Sequence, residues 1–406
     1  MYPILRGLRV IEGASFIAAP SCGLYLAQLG AEVIRFDTVG GGPDFGRWPR
    51  APGGRSFYWE GLNKGKKSIA IDLTRREGRD LAVRLVAAPG QGCGIFLTNF
   101  PAAGFLSYDN LVKRRADLIL IRVMGRPNGD SAVDYTVNCA VGVPQMTGPA
   151  SLGDEPVNQV LPAWDLTTGA YAAFNLLAAE RHRASTGQGQ EIRIPLSDVA
   201  MATLGHLGQI AEVTTTAADR PRYGNDVFGA FGRDFVTADG ERLMLVAITA
   251  RQWTSLIEIL QLGPDIEALE RELGLSLASD EGLRFTHRAR INPLVARAVA
   301  ARASAELIAA LSPSAACWGP YRTLRQALRE DPDFSEQNPI FTTMEHASGE
   351  RYLTPGAAAS FGVMTREAPK PAPRLGEHTD QVLSDCLGLS ALEIGKLHDA
   401  KIVAGP

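Results

Sequence analysis

The sequence predicts an α/β protein whose main sheet is mostly parallel, and three features of the chain support this. Short apolar runs of strand length alternate with helix-length segments of 3.6-residue spacing. Residues 8–37 form a strand–helix–strand unit in which Gly30 ends the helix just before the second strand. The same alternation then recurs. Strands joined through helices pair in parallel with a right-handed crossover, so a layered α/β domain follows.

The elements of this part follow in order from their apolar spacing and from turn residues. The predicted strands are Leu8–Glu12, Ala31–Asp37, Ser68–Leu73, Gly94–Thr98, Leu118–Met124 and Gln190–Ile194. The predicted helices are Ala18–Leu29, Glu77–Ala87, Tyr108–Arg115, Trp164 to about Arg183, and Ser197–Val213. A loop-rich segment separates the fifth strand from the helix that Trp164 opens.

The chain changes character near residues 220–225, where a second domain is predicted to begin. A hairpin over residues 235–246 turns at Asp239–Gly240. Helices follow over residues 251–311 and 323–329, and then comes a tail rich in proline that ends in helices over residues 379–387 and 392–398. We therefore predict a large domain over residues 1–220, a small one over 221–331, and a segment 332–406 that returns to the large domain.

Composition narrows the functional class. The chain is 45% hydrophobic and 21% charged with a net charge of −3, a balance typical of a globular protein without the basic excess of nucleic-acid or membrane-surface binders. The five cysteines are scattered and no histidine pair has metal-ligand spacing, which predicts neither disulfides nor a metal site. No apolar run has the length of a membrane span. These features predict a cytoplasmic protein with no nucleic-acid partner, no membrane association and no metal.

Glycine-rich motifs give little support to nucleotide binding. The turn after the first strand, residues 12–17, carries bulky side chains where a dinucleotide fingerprint needs glycine. Residues 61–68 resemble a phosphate loop, but the spacing is one residue short and the segment leads into a strand rather than a helix. Its three lysines, at positions 64, 66 and 67, either face solvent or contact a phosphorylated ligand.

Asp165 is the carboxylate that most invites a chemical interpretation, because it opens a strongly helical segment. It could be an N-cap that accepts backbone N–H bonds. The commoner role is the cap, but the same setting also suits a nucleophile that free N–H groups keep ionised by lowering its pKa, with small neighbours, Gly169 and Ala170, leaving room for a substrate. These residues by themselves permit both interpretations.

A set of motifs, weak one by one, resembles the class III CoA-transferases when taken in order and spacing. The similarity covers essentially the whole chain, and its carriers are Leu8–Glu12, Leu29–Arg35, Asn63–Ile69, Thr98–Pro101, Asp165, Glu180–Gln190 and Ala372–Thr379. The resemblance implies a large Rossmann-like α/β domain built from both chain ends, an inserted smaller α+β domain, and two chains interlocked as a homodimer. It also implies an acyl-CoA substrate and no cofactor beyond the coenzyme A that the substrate carries.

The resemblance assigns roles to particular residues. Asp165 is the expected nucleophile. The residues expected to bind coenzyme A are Asn99, Phe100, Arg35 and Ile71, the first two near the thioester and pantetheine. The free carboxylate of the substrate needs positive charge, which Arg47, Arg126 or Arg233 could supply, and Tyr135 and Gly229 are also expected to contact the acyl group. Gly229–Gly232 matches a flexible loop that covers the active site in the family, and its sequence Gly-Ala-Phe-Gly predicts less mobility here. The stretch Asp134–Thr136 has no histidine, so the racemase activity found in one branch is not expected.

A closer similarity concerns one branch of the family. The segments that carry it are Ile34–Asp37 with Gly40–Gly42, Gly125–Arg126, Val133–Asn138, Leu161–Asp165, and Tyr223–Asn225 with Gly229–Phe235. It implies that coenzyme A moves within one molecule, from C1 to C4 of a methylfumaryl group, through anhydride and aspartyl-thioester intermediates. The alternatives are intermolecular transfer to another dicarboxylic acid such as succinate, a nucleotide-dependent oxidoreductase, and a non-catalytic acyl-CoA-binding protein.

Overall fold

The structure is a computed structural model that describes residues 1–101 and 103–406, and the chain divides into two compact units. The large unit comprises residues 1–141, 159–215 and 332–406, and the small unit comprises residues 142–158 and 216–331. The large unit thus draws on both chain ends.

Strands and helices alternate along most of the chain. The strands are β1 (Arg9–Gly13), β2 (Glu32–Asp37), β3 (Lys67–Ile71), β4 (Ile95–Thr98), β5 (Ile119–Met124), β6 (Gln190–Pro195), β7 (Phe231–Val236), β8 (Arg242–Ala247), β9 (Cys317–Pro320), β10 (Phe341–Glu345), β11 (Arg351–Pro355) and β12 (Val403–Ala404). The helices are α1 (Ala18–Gln28), α2 (Phe57–Leu62), α3 (Arg76–Val86), α4 (Tyr108–Leu111), α5 (Asp134–Ala140), α6 (Val143–Met146), α7 (Ala163–Thr186), α8 (Leu196–His206), α9 (Gln209–Thr216), α10 (Ala250–Ile259), α11 (Gly263–Leu273), α12 (Glu281–Thr286), α13 (Arg288–Ala300), α14 (Ser304–Leu311), α15 (Leu324–Glu330), α16 (Thr379–Leu387) and α17 (Ala391–Asp399).

The large unit is organised around one sheet with the strand order β12-β3-β2-β1-β4-β5-β6. All of its pairings are parallel except that of β12 with β3. The predicted α/β class is confirmed, and so are the six strands predicted for this sheet, with ends that shift by two residues at most. The chain proceeds outward from β1 to β3 and then returns to build β4 to β6 on the other side, so the direction of winding reverses between β1 and β4.

Both faces of this sheet are buried, which explains the continuous apolar runs of its strands. One face packs against α1, α7 and α8 through a cluster that includes Leu26 and Leu176, each 0% exposed. The other packs against α3, α16 and α17 through a cluster that includes Leu85 and Leu383. The C-terminal segment also adds β12 beside β3, where Val403 pairs with Ile71.

The lysine-rich loop before β3 is part of the core rather than a phosphate loop. Lys66 is 3% exposed and donates to both carboxylate oxygens of Glu12 at 2.9 and 2.8 Å. Lys64 donates to the carbonyl of Pro355, and Lys67 pairs with Glu32 at 2.7 Å. The sequence left two possibilities for these lysines, a solvated turn and contact with a phosphorylated ligand. Neither applies, because each ammonium group already binds an acceptor within the unit.

The small unit contains the antiparallel sheet β7-β8-β9 and the helices α10 to α14 packed on it. The hairpin predicted at Asp239–Gly240 is confirmed, whereas β9 was not predicted. The predicted boundary omitted residues 142–158, which fold with this unit. Arg222, 9% exposed, ties these residues to the unit, because its guanidinium donates to the carbonyls of Thr147, Gly153 and Glu155.

Two further features differ from the sequence prediction. The helix predicted over residues 197–213 is interrupted at Gly208, whose φ of 77° belongs to the left-handed region that glycine favours. The antiparallel pair β10–β11 lies in the proline-rich tail, where no strand was predicted. Across the described residues, no helix combines the length and apolarity needed to cross a membrane.

Candidate active site

A cavity of about 450 Å³ lies at the carboxyl ends of β1, β4 and β5 in the large unit. Its walls come from residues 15–18 after β1, 99–101 after β4, 124–125 and 129–133 after β5, and from Asp165 on α7. The winding of the sheet reverses between β1 and β4, and a crevice at such a reversal is where open α/β sheets bind ligands. The topology therefore brings Asp165 to the expected ligand-binding edge.

Asn99 joins the two loops on either side of this reversal. Its Oδ1 accepts from the amide of Ser15 at 3.1 Å, and its Nδ2 donates to the carbonyl of Ser15 at 2.8 Å. Next to it, the Thr98 hydroxyl donates to the carbonyl of Gly13 at 2.7 Å and accepts from the amide of Phe100 at 2.9 Å. The predicted residues Asn99 and Phe100 both line the cavity.

Asp165 is the third residue of α7 and does not cap it. The N-cap position belongs to Pro162, and the capping oxygen comes from Asp134 on α5. The Oδ2 atom of Asp134, which is 1% exposed, accepts from the amide of Trp164 at 2.7 Å and from that of Asp165 at 3.0 Å. The N-cap interpretation of Asp165 is therefore wrong, and its carboxylate accepts no hydrogen bond from the part of the chain that the structure describes.

The pKa of Asp165 is raised to about 7. Burial is the main cause, the nearby Asp134 carboxylate adds to it, and Arg47 opposes both. The predicted lowering of this pKa is wrong because the helix amides that would have stabilised the charge already bind Asp134. A more basic carboxylate that is partly ionised near neutral pH suits a nucleophile.

Gly169 has a packing role rather than the predicted one of leaving room for a substrate. A Cβ atom at this position would lie 2.7 Å from the carbonyl oxygen of Ala18 and 2.8 Å from Cβ of Ser21. The glycine thus lets α7 approach α1 closely, which fixes Asp165 against the loop that follows β1. Ala170 is exposed.

Arg47 lies between two aromatic rings near Asp165. Its guanidinium carbon is 5.4 Å from the centre of the Phe16 ring and 5.2 Å from that of Tyr58. Among the described residues, no side chain forms a hydrogen bond or an ion pair with this guanidinium, and yet its charge lowers the pKa of Asp165. Tyr135, also predicted, follows Asp134 on α5 and is 39% exposed. Arg47 itself lines a separate cavity with Trp48 and Arg50, and its unpaired charge acts on the candidate nucleophile from there.

Two predicted coenzyme-binding residues are not brought to the cavity. Arg35 is 1% exposed, and its guanidinium is held by Asp37 at 2.8 and 2.9 Å and by Asp44 at 2.8 Å. Ile71 is 0% exposed inside β3. Neither side chain has an accessible surface for a ligand, so we do not retain them in the site.

The remaining predicted residues, Gly229 and Arg233, lie in the small unit. Arg233 approaches Asp226 at 3.6 Å. Residues 229–232 match the loop that covers the active site in the family, and their second half belongs to β7, which begins at Phe231. The Phe231 ring is 1% exposed in the core of the unit.

Sequence reasoning missed the roles of Asp134 and Asp44. Asp134 lies in a segment noted only for family similarity, and no local pattern shows that it caps a helix 30 residues further along the chain. Asp44, 1% exposed, accepts from the amide of Phe16 at 3.1 Å, and no sequence motif drew attention to it. The described ranges also contain no cluster of residues suited to holding a metal ion.

Comparisons with known proteins identify the family of this chain. A model of CoA-transferase family III matches residues 5–379. The chain is 51% identical to 2-methylfumaryl-CoA isomerase of Chloroflexus aurantiacus, with coverage of 100% of this chain and 99% of the relative. It is 25% identical to human succinyl-CoA:glutarate CoA-transferase, with coverage of 98% and 90%. A crystal structure of a CAIB/BAIF family protein from Brucella suis shares the fold, with a TM-score of 0.74 at 23% identity and coverage of 94% and 99%. The chain belongs to CoA-transferase family III.

Proposed function

We propose that this protein converts 2-methylfumaryl-CoA to 3-methylfumaryl-CoA by moving coenzyme A from C1 to C4 of the same acid. The observation that carries the proposal is the Asp165 carboxylate, which lines the cavity, makes no capping bond and has a pKa of about 7. The full-length similarity to the Chloroflexus isomerase supports the choice of substrate.

In the proposed reaction, Asp165 attacks the C1 carbonyl of the thioester, the C–S bond breaks, and a mixed anhydride and coenzyme A thiolate result. The thiolate attacks the aspartyl carbonyl, which forms an aspartyl-CoA thioester and releases the C1 carboxylate. The C4 carboxylate then attacks the aspartyl thioester and expels the thiolate again. Attack of the thiolate at C4 forms the product and regenerates the Asp165 carboxylate, with no net gain or loss of protons.

Each addition creates an oxyanion, which needs hydrogen-bond donors. The sequence suggests two sources, the first amides of α7 or the glycine loop over residues 229–232. Those of α7 are occupied: Trp164 and Asp165 donate to Asp134, and Leu166 donates to the carbonyl of Pro162. The first amides of α1, near Ile17 and Ala18, have no intrahelical acceptors because they begin the helix, and both residues line the cavity. We assign oxyanion stabilisation to this end of α1.

The free carboxylate of the substrate requires a cation, and Arg47 supports that role best. Its guanidinium makes no ion pair with another described residue, and its charge reaches Asp165. A guanidinium can bind a carboxylate through parallel hydrogen bonds and keep the freed acid oriented while its two ends exchange. We also propose that Tyr135, exposed on α5, contacts the acyl group.

A second cavity, of about 460 Å³, could bind the phosphates of the coenzyme. Its lining includes Arg76, Arg79, Lys113 and Arg114 together with the ring of Phe105. Phe100 and Pro101 line the reaction cavity, and Phe105, a few residues further along the chain, lines this basic one. Arg122 holds the described residues on both sides, because it donates to the carbonyls of Phe100, Pro101 and Leu106. We therefore propose that the pantetheine arm of the coenzyme lies between the two cavities and that the nucleotide end of the coenzyme binds the basic one.

We propose that the protein is located in the cytoplasm, a reducing compartment in which unpaired cysteines persist. The assembly that we propose is a homodimer. Helices α7 to α9 present large apolar side chains to solvent, which is unusual for a monomer surface. These are Tyr171, Phe174, Met201, Leu207 and Ile210, with exposures of 51%, 67%, 46%, 67% and 52%. A second copy of the chain is the occupant that we propose for this surface.

A trapping experiment tests the proposed reaction. The protein is mixed with 2-methylfumaryl-CoA, reduced with borohydride and digested, and the peptide containing Asp165 is analysed by mass spectrometry. We expect this aspartate to be converted to homoserine, because both the anhydride and the thioester are reducible, and the Asp165→Asn variant should show no such change. An unaltered peptide during turnover would refute the proposal.

Intermolecular transfer of coenzyme A to a second acid is the competing activity. The name of the human relative, succinyl-CoA:glutarate CoA-transferase, describes such a transfer. Turnover of unlabelled thioester in the presence of isotope-labelled free mesaconate or succinate separates the two. Label should remain outside the thioester pool if the freed acid stays bound. Entry of label at the rate of turnover would establish an intermolecular transferase.

A further inference from the structure

The buried aspartate Asp44 is linked to the reaction cavity through one backbone amide. Its Oδ1 atom accepts from Arg35 at 2.8 Å, and its Oδ2 atom accepts from the amide of Phe16 at 3.1 Å. Both Asp44 and Arg35 are 1% exposed, and Arg35 is held further by Asp37 and Asn63. A charged group buried with such partners has little freedom to move, so the amide of Phe16 is anchored to a rigid part of the fold.

Phe16 needs such an anchor because its backbone is strained. Its φ is 70°, in the left-handed region that residues with a Cβ atom rarely adopt. The preceding amide, that of Ser15, is fixed by Asn99. Strained backbone at a ligand cavity persists only when the surrounding structure determines it, and here Asp44 and Asn99 do so.

The ring of Phe16, in this conformation, faces the reaction cavity and the guanidinium of Arg47. The ring is 41% exposed, lines the reaction cavity and forms one of the two aromatic walls around the Arg47 guanidinium, with a distance of 5.4 Å. Arg47 has no carboxylate partner among the described residues, so its contacts with the rings of Phe16 and Tyr58 are what orient it.

We propose that Asp44 and Phe16 are positioning residues for substrate recognition: the buried Arg35–Asp44 pair fixes the strained Phe16, whose ring holds Arg47 in place to bind the free carboxylate of a dicarboxylic acyl-CoA. Neither residue touches the reacting atoms. This inference rests on the proposed function in one respect, namely that Arg47 binds that carboxylate.

A double-mutant cycle on binding tests the inference without requiring turnover. The variants are Phe16→Leu, which keeps apolar bulk and removes the π face, and Arg47→Gln, singly and combined, all in an Asp165→Asn background that prevents reaction. Dissociation constants are measured by calorimetry for 2-methylfumaryl-CoA and for crotonyl-CoA, a control thioester that lacks the free carboxylate. Asp44→Asn, which preserves volume and removes the charge, is a further single variant.

We expect Phe16→Leu to weaken binding of 2-methylfumaryl-CoA by about threefold to tenfold, the range of a cation–π contact, and to leave binding of crotonyl-CoA unchanged. In the Arg47→Gln background the same substitution should have no further effect. Asp44→Asn should act in the same direction as Phe16→Leu. Additive effects, or equal weakening for both thioesters, would overturn the inference even if the wild-type protein isomerises its substrate. Absence of isomerisation, with the coupling present, would instead refute the proposed reaction while the positioning role stands.

Discussion

The carboxylate oxygen Oδ2 of Asp134 accepts a hydrogen bond from the backbone amide of Asp165 at 3.0 Å, so one aspartate caps the helix that carries the other. The division of roles leaves the side chain of Asp165 free of capping bonds and places a negative charge beside it. Both effects favour a carboxylate with a raised pKa at the cavity, which is the property that the proposed chemistry needs.

The rate of turnover should depend on the ionisation of Asp165. Only the carboxylate attacks a thioester, so kcat/KM should rise with pH through an apparent pKa near the value of about 7 assigned to this group. A pH–rate profile checks this. An acid limb centred near the ordinary aspartate value, about 4, would contradict it.

The same pKa predicts how folding stability depends on pH. Because the folded pKa of Asp165 is raised from 3.8 to about 7, the folded state retains a proton that the unfolded state has lost between these values. The free energy of unfolding should therefore fall as the pH rises across this window. Chemical denaturation at several pH values should show that the free energy of unfolding falls less steeply for Asp165→Asn than for the wild-type protein. A separate activity assay of this variant should detect little turnover. An identical pH dependence in the two proteins would count against the raised pKa.

Changing Asp134 should alter both stability and the acid limb of activity. Asp134→Ala removes the acceptor of two helix amides and should lower the free energy of unfolding by about 1–2 kcal/mol. Asp134→Asn keeps an acceptor but removes the charge that raises the pKa of Asp165, so the acid limb of kcat/KM should move to lower pH. Asp399→Asn, at an exposed site on α17, is the matched control and should leave both properties unchanged.

The approach of α7 to α1 should tolerate no side chain at Gly169. In Gly169→Ala the new Cβ atom would meet the carbonyl of Ala18 at 2.7 Å, and we expect a loss of about 1–3 kcal/mol from overpacking. Gly395→Ala on α17 is the control, since nothing lies within 4 Å of its Cβ position, and it should gain about 0.5–1 kcal/mol from helix propensity. Thermal or urea denaturation distinguishes the two. Equal stability changes would show that the α1–α7 contact is not tight.

The basic cavity should affect binding of the coenzyme without affecting chemistry. Arg114→Gln is expected to raise KM for 2-methylfumaryl-CoA several-fold while kcat changes little, because it removes one cation from the proposed phosphate site. The matching thioester of pantetheine has no phosphates, so its KM should be unchanged by the substitution. An equal rise for both thioesters would place the coenzyme phosphates elsewhere.

Much of the fold follows from the sequence because the relevant signals are local. Gly30 ends a helix through its own backbone freedom, and the apolar runs around Ile34 and Ile121 reflect burial on both faces of a sheet. The hairpin at Asp239–Gly240 was predicted for the same reason. The strand β9 and the pair β10–β11 were missed because no comparable local signal marks them, and β9 pairs with a strand distant in the chain.

The candidate site was only partly predictable. Asp165, Asn99 and Phe100 were identified by family resemblance, and the structure places all three at one cavity. The same resemblance suggested Arg35 and Ile71, which lie buried away from that cavity. A motif reports that a residue is present in a pattern, but whether its side chain reaches a ligand depends on the packing around it.

The sequence by itself determined the order of strands and helices, the parallel character of the sheet and the candidate carboxylate at the start of α7, since these depend on residues close together in the chain. Only the tertiary structure decided that Asp134 caps that helix, that the pKa of Asp165 is raised and that Arg47 lies near it. The pKa of Asp165 depends on its burial and on the charges of Asp134 and Arg47, which act through space. These groups come together only when the sheet has assembled.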